Sequence, residues 1–166
     1  VDRCTDAAYV TGVSDAATKE ATRLVGGRLQ KDGTQLPQVW LDFDPAVRRL
    51  DVRFGDPASP PAETHTAPPA PWRMYDFDLS EFALFGPRQA KAFSFGLAMA
   101  WPDGTSPALR ILGEATAVHA GAETLNGAAV NHYRLSGPAF ADPEKGDRGG
   151  DLFLDAAYGH VVEARF

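Results

Sequence analysis

Residues 109–135 read LRILGEATAVHAGAETLNGAAVNHYRL, and Asn126-Gly127 joins two runs of alternating character within them. Asn-Gly tolerates the left-handed backbone of a two-residue hairpin turn, so Leu109–Leu125 and Ala128–Leu135 are predicted as paired antiparallel strands. A two-residue turn sets Leu125 opposite Ala128 and fixes the other pairs by counting. Val118 then faces Leu135, Ala120 faces Tyr133 and Ala122 faces Asn131 on a mostly apolar side. His119 faces Arg134, Gly121 faces His132 and Glu123 faces Val130 on the other. The alternation slips between Arg110 and Thr116, which predicts a bulge near Gly113.

Upstream, Phe93 to Trp101 splits by size. Phe93, Phe95, Leu97, Met99 and Trp101 point one way, whereas Ser94, Gly96, Ala98 and Ala100 leave a face open to close approach. Val39–Phe43 and Leu50–Phe54 alternate in the same two-residue period and predict a hairpin. Trp72–Phe77, Leu152–Leu154 and Val161–Phe166 read as further strands. Two short helices are expected. One lies over 14–27, with Ser14 as N-cap and Gly26-Gly27 as its stop. The other follows Asp78-Leu79-Ser80-Glu81, spaced as a capping box with Phe77 and Phe82 as its staple. Residues 56–71, DPASPPAETHTAPPAP, hold six of the thirteen prolines and are expected to stay out of any ladder as a flap. Residues 1–55 offer too little apolar surface to fold alone, and 136–150 read as a second long loop. The fold class is therefore mainly β (α+β): one domain, a curved antiparallel sheet or half-barrel of six to eight strands, with two short helices on one face.

The chain has 166 residues, 44% of them hydrophobic, and a net charge of −6. An acidic surface with scattered basic residues repels phosphate backbones and argues against nucleic acid as a partner. The longest apolar stretch, Ala92–Trp101, is about half the roughly 20 residues a spanning helix needs. The lone cysteine, Cys4, excludes an internal disulfide, and Val1-Asp2-Arg3 before it is too polar for a lipid-attachment box. The absence of an initiating Met and of a signal peptide suggests a processed or trimmed chain.

Chemistry-bearing groupings are few. His119, His132 and Glu123 sit around the small Gly121 and could hold zinc or share a proton. However, His119 and Glu123 lie four residues apart on one strand, roughly 13 Å. Asp142-x-Glu144-x-Gly146-Asp147 resembles a calcium loop but places Phe153 where the closing carboxylate belongs. Asp42 with Asp44 and Asp76 with Asp78 are better read as helix caps (Asp44, Asp78) and outward strand residues (Asp42, Asp76). Phe93, Phe95, Leu97, Met99, Trp101, Trp72 and Tyr75 are the candidate lining of an apolar ligand site, since an incompletely closed sheet leaves part of its inner face unfilled.

Four segments carry a family resemblance: Trp72-Arg73-Met74-Tyr75-Asp76-Phe77-Asp78-Leu79, Phe93-Ser94-Phe95-Gly96, Asn126-Gly127 to Tyr133-Arg134, and Gly149-Gly150-Asp151-Leu152-Phe153-Leu154-Asp155. In strand order and turn placement, residues 72–166 resemble exported bacterial proteins with the half-barrel layout of LolA/LolB-type lipoprotein carriers. The resemblance implies a periplasmic location, no cofactor, and binding of an acyl chain or a lipid-modified partner. A non-catalytic binding protein for an apolar small molecule or lipidated protein is thus the leading expectation. The alternatives are a metal-dependent or acid/base hydrolase using His119, His132 and Glu123, and an envelope scaffold that pairs through a sheet edge.

Overall fold

The computed structural model describes residues 7–75, 81–82, 91–100, 107–142 and 146–165. The chain falls into two compact units, Val1–Ala67 and Pro68–Phe166, so their boundary lies inside the segment expected to be a flap.

The first unit is a five-stranded antiparallel meander: β1 (Ala7–Asp15), β2 (Glu20–Leu29), β3 (Gln35–Asp44), β4 (Arg49–Phe54) and β5 (Glu63–Thr66), in that order across the sheet. The β3–β4 hairpin forms as the alternation predicts, with Val39 opposite Phe54, Leu41 opposite Val52 and Phe43 opposite Leu50. Leu41, Phe43, Leu50 and Val52 are buried. Three expectations fail in this unit. Residues 14–27 are not a helix; 14 and 15 end β1, 16–19 turn, and the chain runs on as β2. Asp15 Oδ1 accepts the N–H groups of Ala17 (2.8 Å) and Thr18 (2.7 Å), so the turn takes the cap that Ser14 was assigned. Thr22 and Val25 are β-branched, and Gly26 and Gly27 sit within the strand at a bulge instead of ending a helix. The proline-rich stretch also joins the ladder, because its proline-free centre Glu63–Thr66 pairs with β4. Asp44 caps no helix; its Oδ1 accepts the Ala46 N–H at 3.0 Å within the β3–β4 turn.

The other face of this sheet carries a charge lattice. Arg23 Nε meets Asp42 Oδ1 at 2.5 Å and Arg53 Nη1 meets Asp42 Oδ2 at 2.7 Å. Arg49 Nε lies 3.1 Å from Asp51 Oδ1, and the Thr64 hydroxyl bonds Asp51 at 3.0 Å. Asp42, expected to point outward, is the hinge of this lattice.

The second unit is a six-stranded curved sheet with half-barrel character, ordered β13-β12-β9-β8-β7-β6. Its strands are β6 (Trp72–Tyr75), β7 (Ala92–Ala100), β8 (Leu109–Leu125), β9 (Ala128–Ser136), β12 (Gly150–Asp155) and β13 (Val161–Arg165). The Asn126-Gly127 turn pairs Leu125 with Ala128, and β8 bulges at Leu112, beside Gly113 with its positive φ. The segment 136–150 is not wholly loop. It holds a 3-10 turn at Pro138–Phe140 and a two-residue ladder between β10 (Ala141–Asp142) and β11 (Gly146–Asp147). Unlike the rest, β6 runs parallel to β7. Residues 76–91 supply the dozen or more positions that a parallel connection needs. Of the second expected helix, Glu81 and Phe82 are helical, and the Glu81 carboxylate accepts the Met74 N–H at 2.9 Å. Phe77, Asp78 and Asp76 lie outside the described residues.

Three hairpin aspartates give the fold an acid-sensitive component. Asp15 is held below its ordinary value of 3.8 by the Thr18 and Ala17 N–H groups, and Asp32 by Thr34. Asp155 is lowered by the N–H of Tyr158, then by that of Ala157 and the charge of His160. A lowered folded value contributes stability above the unfolded value and loses it as pH falls through the folded one. Urea midpoints should therefore drop between about pH 5 and about pH 2, and Asp155→Asn should flatten that limb. An acid limb as steep in Asp155→Asn as in the parent would contradict this origin.

Candidate functional site

One face of the second unit is apolar. Phe95 lies opposite Ala115, Phe93 opposite Ala117, Ala117 opposite Leu135, and Tyr133 opposite Leu152. Phe82 covers Phe95 edge-on at 5.2 Å and lies 6.0 Å from Phe93. Phe95 and Leu97 are buried, whereas Phe93, Met99 and Tyr75 are half-buried. Five of the seven expected lining residues therefore share this face. Trp101 lies outside the described residues. Trp72 departs from the expectation. It is the parallel partner of Gly96 and so projects on the small-residue side, where it is buried with Met74 and Ala98. The occupant of that small side at Gly96 is the chain itself: a Cβ there would stand 2.2 Å from the Pro69 carbonyl oxygen, and the Gly96 N–H bonds the Pro71 carbonyl at 3.0 Å.

Tyr133 sits at the centre of the apolar face. Its side chain is wholly buried, its ring lies 5.1 Å from Phe93 and 5.3 Å from His119, and its hydroxyl has no hydrogen-bond partner among the described residues. Burial pushes the phenol above its ordinary value of 10.0, which keeps it a neutral donor.

The His119, His132 and Glu123 trio does not assemble. A second bulge, at Ala120, shifts the register so that His119 faces Tyr133 and Val118 faces Arg134, while Gly121 still faces His132. This displaces every expected pair beyond Gly121 by one residue and turns His119 to the apolar side. Glu123 and His132 do meet, Oε1 to Nδ1 at 2.8 Å, but the third member is Asp151, whose Oδ1 lies 2.6 Å from Nε2. Phe153 stacks on the imidazole at 4.5 Å, and the Arg165 guanidinium lies over the Phe153 ring and pairs with Glu163. With each ring nitrogen directed at a carboxylate, neither is left to ligate a metal while these contacts stand. Among the described residues, no group of three His, Cys, Asp or Glu is arranged to hold a metal ion. The calcium-like segment falls partly on residues outside the description.

Sequence reasoning missed Asp151 and the Tyr133 hydroxyl. Asp151-x-Phe153-x-Asp155 does alternate against Leu152 and Leu154, but placing β12 beside β9 needs a long-range pairing that no turn announces. No protein-family model, curated protein or solved structure matches this chain.

Proposed function

We propose that the protein is a non-catalytic binding protein whose second unit holds an apolar ligand, an acyl chain or the lipid group of a modified partner, on its apolar face. The observation that carries the reading is the aromatic surface left half-buried on this face by Phe93 and Tyr75, beside the buried Phe95 and Tyr133. The half-buried Phe93, Met99 and Tyr75 offer the apolar approach, with aromatic surface suited to an alkyl chain. The closed bonding of His132 supports a binding role over an acid/base one. Export to the periplasm is part of the proposal and rests on the family resemblance.

Delipidated full-length protein should bind a fluorescent fatty acid, and native mass spectrometry of gently purified material should show a lipid-sized adduct. Phe93→Ala should weaken the fatty acid about tenfold while leaving the fold intact. No adduct together with no binding, or equal affinity in Phe93→Ala, would overturn the reading.

A further inference from the structure

Among the described residues the two larger sheets end in four edge strands, and three carry the features that discourage pairing. β5 is four residues long and presents Glu63 tied to His65 at 3.0 Å. β6 is also four residues long. β13 presents Glu163 bonded to Arg165. Short length and charge on the edge are how sheets avoid adding strands.

β1 is longer and less charged. It is nine residues long and free of proline, its one charge is Asp15 at the very end, and among the described residues it has β2 on one side and no strand on the other. Two of its side chains are large, apolar and exposed, Val10 at 60% and Val13 at 62%. With its single charge at Asp15, β1 can pair antiparallel with an identical strand about its midpoint without like charges meeting, because Asp15 then falls opposite Ala7. A two-fold axis at Thr11, the midpoint of β1, sets Tyr9 of one copy against Val13 of the other, an aromatic–β-branched pair repeated twice.

We infer that β1 is a self-association edge: two copies of this chain pair β1 to β1, antiparallel about Thr11, and join two five-stranded sheets into one. The inference uses the first unit alone and is independent of the ligand reading, so failure of fatty-acid binding leaves it standing.

Sedimentation velocity of the full chain over a concentration series tests it. A monomer–dimer equilibrium is expected, and Val13→Lys should weaken it by roughly tenfold or more by placing a charge at the edge. Val13 is exposed, so this variant keeps its fold, which circular dichroism checks. A second readout is positive: Thr11→Cys, in a chain with Cys4→Ser, should crosslink to itself, because directly opposed residues lie roughly 4.5–5.5 Å apart, within disulfide reach. A chain that stays monomeric throughout, even one that takes a strand from a different protein at β1, overturns the inference. So does a dimer that ignores Val13→Lys and fails to crosslink through Thr11→Cys.

Discussion

Gly96→Val should unfold the second unit at markedly lower denaturant than the parent. The new Cβ would stand 2.2 Å from the Pro69 carbonyl oxygen and 2.8 Å from both the Pro69 nitrogen and the Pro68 Cβ. Most of these are backbone atoms, which cannot rotate aside as a flexible side-chain tip would. The Pro68–Pro69 segment must withdraw, and the Gly96 N–H to Pro71 carbonyl bond is strained with it. Overpacking ordinarily costs about 1–3 kcal/mol, and a contact this short on backbone places the cost at or above about 3 kcal/mol. Ser94→Val is the control: it lies two residues away on the same face of β7 and is exposed, so it should shift stability by less than about 0.5 kcal/mol. Urea unfolding followed by tryptophan fluorescence checks both, since Trp72 is buried beside Gly96. Equal midpoints for Gly96→Val and Ser94→Val would mean the proline segment does not seat on β7.

Phe95→Ala should cost about 3–5 kcal/mol, the range for removing a fully buried aromatic side chain. Phe95 is 2% exposed, and its ring lies 5.2 Å from Phe82 and 6.0 Å from Phe93, so truncation opens a void inside the buried cluster they share. Phe93→Ala removes a half-buried ring from the same face and should cost distinctly less stability. The pair separates packing from binding. Phe95→Ala is expected to act chiefly on the urea midpoint, and Phe93→Ala chiefly on fatty-acid affinity. A Phe95→Ala cost below about 1 kcal/mol would show a face far looser than its burial describes.

Local signals carried most of the fold. The Asn126-Gly127 turn and the alternations at 39–43, 50–54 and 93–100 placed strands and one register correctly, because each depends on a few adjacent residues. The errors share a cause. At 14–27, alanines and a leucine outweighed Thr22 and Val25 in the helical reading, and the pairing with β1 and β3 that decides the matter is non-local. Opposite His132 the small Gly121 reads as room, although a glycine inside a strand equally marks a bulge. That single extra residue separated His119 from Glu123 and His132. Five of the seven apolar candidates lie on one face because period-two alternation survives along β7. Trp72 was misplaced because the parallel β6–β7 register cannot be counted through a turn.

The outer wall of the first sheet has an electrical consequence. Arg23, Arg49 and Arg53 cancel Asp42, Asp44 and Asp51 within a few ångströms, so this wall contributes nothing to the net charge of −6. The molecule's excess negative charge is expressed elsewhere. Added salt should loosen the more exposed pairs, Arg23–Asp42 and Arg49–Asp44, while the half-buried Arg53–Asp42 pair is screened much less.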